Sequence, residues 1–150
     1  LQECINSNPN AAAFTSRTNR VACLELLTVG VDPHNHDYSY HRRVGQFLSK
    51  KHWGKVSTYP KSKAGNWSGI FIAVNVGRMK EIGGFVDNGK WFGQDQLTHK
   101  KIVESQYDFC ICNGIYVYHW YKAEKPYEHS EATIKSLEDA HMHFIQLTKC

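Results

Sequence analysis

Three apolar, β-rich runs, AAAFTS at 11–16, WSGIFIAVNV at 67–76 and FCICNGIYVYHWY at 109–121, alternate with segments of helical spacing. No other feature of the chain restricts its fold as much. Strands separated by helices must bury both kinds of apolar face in one core, and the layered solution is an α/β domain with helices against a sheet. A chain of 150 residues fits a single domain spanning 1–150, and a domain of that size buries roughly 68–70% of its unfolded surface.

The helical segments carry their own start and stop signals. In DYSYHRRVGQFLSKKHWG, Tyr40, Val44, Phe47 and Leu48 fall on one helix face, with Asp37 as the predicted N-cap and Gly54 as the stop. Arg42, Arg43, Lys50 and Lys51 lie elsewhere on it and read as a solvated face. A short helical turn over 77–82 closes on Gly83 and Gly84, and a further helix starts near Asp95, with Leu97, Lys101 and Ile102 in register. At the C-terminus, Ser130 and Glu131 begin a capping signature ahead of Ile134, Leu137 and His141, which predicts a closing amphipathic helix.

The intervening residues read as turns. Arg17 to Arg20 is a basic turn, the stretch 21–31 (VACLELLTVGV) is ambiguous between strand and helix, and 32–36 is a loop containing Pro33. The segment 56–66 is a lysine-bearing loop, 67–76 has the length of a central strand, and Asn113-Gly114 reads as a two-residue hairpin turn dividing the last run.

Eighteen Lys and Arg against 14 Asp and Glu give a net charge of +4, a mildly basic surface without a polybasic block. That suits an anionic ligand such as a nucleotide diphosphate, and equally a surface that is merely solubilising. The basic residues are scattered and no recognition motif accompanies them, so nucleic-acid binding is not expected. Five cysteines, Cys4, Cys23, Cys110, Cys112 and Cys150, with no C-x-x-C pair, argue against a disulfide framework and for a reducing, cytoplasmic setting. Cys110 and Cys112, two apart in a strand, are expected to pack on one face as small hydrophobes. No apolar run reaches the roughly 18 residues of a membrane span, and the first residues do not read as a signal peptide. The sequon at Asn66 therefore carries little weight.

Several segments, in order, resemble the C-terminal half of GT-A glycosyltransferases, particularly the family-2-like group. These are the strand opening with Ser68-Gly69, the short helix ending in Gly83-Gly84-Phe85, the acid Asp87, Gly93-Gln94-Asp95 at a helix start, and Val117-Tyr118-His119 closing a strand. AAAFTSRTNR and the HDYSYHRRVGQFL helix extend the similarity over nearly the whole chain. The resemblance implies a GT-A-like mixed sheet flanked by helices. It also implies an enzyme transferring a sugar from a nucleotide-sugar donor, UDP- or GDP-linked, to a hydroxyl of a glycan, lipid or protein.

Residue by residue, the resemblance makes Asp95 the general base and His119 a ligand of a Mn²⁺ or Mg²⁺ ion that bridges the donor diphosphate. Asp87, Trp67, Gly69 and Trp91 become residues holding donor or acceptor. The chemistry suits these residue types, because sugar transfer needs a base for the nucleophile and charge compensation for the leaving diphosphate. On residue physics alone, Asp95 is as readily a helix cap and His119 a strand end.

Two departures are plain. Gln94 stands where the family has an acid before the base, and the chain has no Asp-x-Asp motif. The donor-binding N-terminal half is thus absent from these residues, and a sheet lacking its first strands would offer an edge to a partner chain or to a second copy. A non-catalytic sugar-binding module derived from such an enzyme is the alternative. His34, His36, Asp37 and His41 form a rival metal-binding set.

Overall fold

The computed structural model describes residues 1–19, 26–32, 35–64, 67, 69–87 and 94–120. Its elements are α1 (Gln2–Ser7), β1 (Ala11–Thr18), α2 (Tyr38–His52), β2 (Val56–Thr58), β3 (Ala73–Val74), α3 (Val76–Glu81), α4 (Gln94–Glu104) and β4 (Asp108–Val117), with a 3₁₀ turn at Lys61–Lys63. The four strands form one sheet in the order β2-β4-β1-β3. β4 runs parallel to β1, while β2 and β3 pair antiparallel to β4 and β1. The result is a mixed α/β sheet flanked by helices.

β1 and β4 occupy the centre because both of their faces can be buried. Residues 11–16 of β1 are buried without a break, the pattern of a strand covered on two sides. On one side, Phe109 and Ile111 pack with Ile102 and Val103 of α4, and with Tyr59, Trp67 and Met79. The alternate residues Cys110 and Cys112 join Phe14 and Cys4 of α1. As expected, the two strand thiols behave as small core hydrophobes. Burial pushes Cys110 up to about 11 and Cys112 up to about 12, so neither is a ready thiolate. A third cluster joins Val44 and Leu48 of α2 to Val31 and Tyr116.

Helix α2 follows its sequence signals closely. The Asp37 carboxylate accepts the Ser39 amide at 2.8 Å, and Gly54 follows the helix with φ +66°. In α3, Asn75 caps the first turn by accepting the Arg78 amide, and Gly83 and Gly84 end the helix with positive φ.

Four sequence expectations are overturned. β1 continues through Arg17 and Thr18, where a turn was expected, because both pair with β4. The run 67–76 is not a central strand: only Ala73 and Val74 pair, at the sheet edge, because side-chain bonds described below hold the preceding residues out of the ladder. The segment 56–66 is not all loop, since Val56–Thr58 pairs with Cys110, Ile111 and Cys112.

Finally, Asn113-Gly114 makes no hairpin, and β4 passes through it. The register slips here from Ser16↔Cys112 to Arg17↔Tyr116, and Arg17 fastens the irregularity by donating to the Asn113 side chain and to the Leu26 carbonyl. Gly114 is needed for a close approach, because a Cβ there would lie 2.6 Å from the carbonyl oxygen of His52. The glycine lets the end of α2 sit on the strand. Helix α1 was not anticipated: it buries only Cys4 and so carries little periodic signal. The expected C-terminal helix and the stretch 21–25 lie outside the described residues.

Gly114→Ala forces a methyl against backbone that cannot rotate away, and should lower stability by about 1–3 kcal/mol. Urea unfolding should register this as a lower midpoint at unchanged slope; an unchanged midpoint would mean that α2 does not hold this approach to β4.

Candidate active site

In open α/β sheets, ligands bind beyond the carboxyl ends of the parallel strands. Here that edge is where β1 and β4 finish together, Thr18 opposite Val117. The two strands are clamped to each other just past the ladder. Asn19, buried, accepts the His119 amide at 2.7 Å through its side-chain oxygen and donates to the His119 carbonyl at 3.2 Å. This reciprocal pair fixes the backbone of His119.

Asp95 belongs to a different element. Helix α4 leads through residues 105–107 into β4. Asp95 sits in the first turn of α4. One carboxylate oxygen accepts the Gly69 amide at 2.8 Å, and the other accepts the Gln96 amide at 3.1 Å. A Cβ at Gly69 would come within 3.3 Å of the Asp95 Cβ, so the missing side chain makes room for the carboxylate itself.

The loop that presents Gly69 is held by a buried hydroxyl. Thr15 accepts the Trp67 indole N–H at 3.1 Å and donates to the Phe71 carbonyl at 2.8 Å. Since β3 is antiparallel to β1, the residues before Ala73 run toward the carboxyl end of β1. Trp67 itself is 2% exposed and packs against Phe109, with ring centroids 5.3 Å apart. It anchors this loop from within the core and does not stand on a cleft wall.

The glycine turn after α3 is drawn onto α4. Lys101 donates to the carbonyls of Gly83 (3.0 Å) and Gly84 (3.3 Å), and the Val86 amide donates to the Thr98 hydroxyl at 3.1 Å. Asp87 follows on the surface. Trp91 lies outside the described residues. The structure therefore brings Asp95 and Gly69 into contact, and separately holds His119 to Asn19 past the end of β4.

Among the described residues there is no group of three or more His, Cys, Asp or Glu side chains able to hold a metal ion. In the rival histidine set, His41 is buried with both ring nitrogens engaged, Nε2 at 2.6 Å from the Asn35 carbonyl and Nδ1 at 2.7 Å from the Tyr116 hydroxyl. Asp37 serves as the α2 cap, and His34 lies outside the described residues. Among the described residues no helix is long and apolar enough to cross a membrane. Comparison with protein-family models, with curated proteins and with solved structures gives no match for this chain.

Sequence reasoning passed over His99, which lies on α4 one turn beyond Asp95. Its ring is 0% exposed, and neither nitrogen has a hydrogen-bond partner. It is boxed by Tyr59 (4.3 Å), Phe109 (4.7 Å) and Trp67 (6.4 Å). Burial lowers it from 6.5 to about 4. The unfolded chain takes up a proton below about 6.5 that the folded chain refuses until about 4, so stability falls as pH drops through that window. The full loss is up to about 3 kcal/mol. His99→Phe, which keeps the ring volume, should flatten this part of the profile of thermal stability against pH; an unaltered profile would mean that His99 is not the titrating group.

Proposed function

We propose that this chain is the acceptor-side, base-bearing half of a GT-A-like glycosyltransferase, working with a donor-binding half on another stretch of polypeptide. The observation that carries the reading is the Asp95 carboxylate, seated in the first turn of α4 on the Gly69 amide. The antiparallel β3 beside a parallel pair also suits a mixed GT-A sheet.

In this reading Asp95 takes the proton from an acceptor hydroxyl as that oxygen attacks the anomeric carbon of the donor sugar. The bond to the nucleotide diphosphate breaks, its electron pair leaves with the diphosphate, and configuration at the anomeric carbon inverts. The Gly69 amide holds the carboxylate in orientation during the transfer, and the Thr15–Trp67 bond keeps the loop in place. Trp67 and Gly69 thus serve the site from behind, while Asp87 and Trp91 remain the proposed contacts to sugar.

A divalent ion, Mn²⁺ or Mg²⁺, would offset the charge of the leaving diphosphate. One imidazole does not make a metal site, so an ion at His119 would draw its other ligands from the diphosphate and from the donor-binding half. No proton step is assigned to it. The donor-binding half would continue the sheet past β3, where a groove of about 660 Å³ is lined by Ile5, Pro9, Val74, Val76 and Arg78 among others. A non-catalytic sugar-binding module is the second reading, supported by the lack of an Asp-x-Asp motif in the sequence.

Asp95→Asn preserves an oxygen for the Gly69 amide but cannot take a proton. Sugar transfer from UDP- or GDP-linked donors should fall by about 10²–10⁴-fold, and near-wild-type turnover would remove Asp95 from the mechanism. His119→Ala should weaken the stabilisation that Mn²⁺ adds to a thermal melt in the presence of UDP or GDP. An unchanged Mn²⁺ effect would leave His119 a strand-end residue only.

A further inference from the structure

The chain beyond β4 carries an aromatic construction that the proposed proton transfer does not use. Trp120 is 57% exposed, yet its indole rests on two rings. Tyr118 meets it edge-on at 5.8 Å and 89°, and His36 lies tilted beneath it at 5.5 Å. These supports are themselves fixed. The Tyr118 hydroxyl is 3.0 Å from His36 Nδ1, and the Tyr118 ring stacks on His41 at 4.1 Å. His41 in turn is locked by its bonds to Asn35 and Tyr116. Single exposed aromatics are ordinary on protein surfaces. This one differs in being oriented by a chain of ring contacts and hydrogen bonds that reaches a fully buried histidine.

The location narrows what such a surface would bind. Trp120 follows His119, whose backbone is clamped to Asn19 at the carboxyl ends of the parallel strands, where ligands of α/β sheets collect. A flat, exposed indole held in a fixed orientation offers an apolar face. A pyranose ring is complementary to that, with C–H groups on one face and hydroxyls around its edge.

We infer that Trp120, supported by Tyr118 and His36, is a stacking platform for a pyranose ring at the carboxyl edge of the sheet. The choice of a sugar over another flat ligand rests on the transferase reading. The platform itself rests on the ring geometry alone. Its role is to bind and orient a saccharide; it takes no part in the chemical step.

The test follows the indole N–H signals of the tryptophans by NMR while the whole chain is titrated with methyl β-glucopyranoside, methyl β-galactopyranoside or N-acetylglucosamine. Uridine is titrated separately. Trp120→Ala, a change at an exposed position, assigns the Trp120 signal by its loss, and a thermal melt checks that this variant folds. At about 10 mM, above the millimolar Kd of a weak single-ring site, at least one glycoside should shift the Trp120 signal saturably. The same shift should persist in Asp95→Asn.

Silence of the Trp120 signal with all three sugars overturns the platform. So does a response to uridine alone, which would make it a base-stacking surface, or sugar-induced shifts of other tryptophans that survive in Trp120→Ala. Because the readout needs no turnover, its failure leaves the assignment of Asp95 standing. Conversely, full transfer activity in Asp95→Asn removes the base without touching the platform.

Discussion

The parallel pairing of β1 with β4 is the constraint on which the remaining structure depends. Seven residue pairs join the two strands, from Ala11↔Asp108 to Thr18↔Val117. A parallel pair cannot close through a tight turn, so the chain between them must cross over, and that crossover supplies α2, α3 and α4. Burial on both faces then dictates composition: alanines, cysteines, Phe14, Phe109 and Ile111 fill the centre, and helices cover each side. The same pairing brings Thr18 and Val117 to one edge, so that Asn19 can seize the backbone of His119.

What could be read from sequence was what is encoded locally. Asp37 and Gly54 bracket α2 because a capping carboxylate and a left-handed glycine act within one turn of the residues that they serve. The same is true of the glycine pair after α3. Asn113-Gly114 misled for the same reason. It is a strong local turn signal, but here it is outweighed by pairing with a distant strand and by the need for α2 to approach within contact of Gly114. The run 67–76 has strand-like composition throughout. Yet the bonds from Trp67 to Thr15 and from Thr15 to Phe71 pull most of it away from the ladder, and no pattern within the run announces them.

The candidate site divides along the same line. Asp95 at a helix start and His119 at a strand end were visible as residue types in meaningful places. Their company was not. The bond from Gly69 to Asp95 spans 26 positions and that from Asn19 to His119 spans 100, distances over which a single sequence carries no direct signal. His99 was overlooked because a histidine at mid-helix resembles any polar surface residue until the aromatic rings around it are known. Gly69 was legible as a place of close approach, although the group that approaches is a carboxylate of the same chain.

The pairing of β1 with β4 also sets the order in which this molecule can be made. β1 ends at Thr18, whereas its central partner begins at Asp108, so most of the chain must be synthesised before the middle of the sheet can close. Contacts so distant in sequence slow folding, since loop closure must precede any gain from pairing. Until β4 emerges, the apolar AAAF segment has only the short β3 to lie against, and an unpaired strand of that kind is a natural target for chaperones. The carboxyl edge, where Asn19 meets His119, can thus form only after β4 has been made.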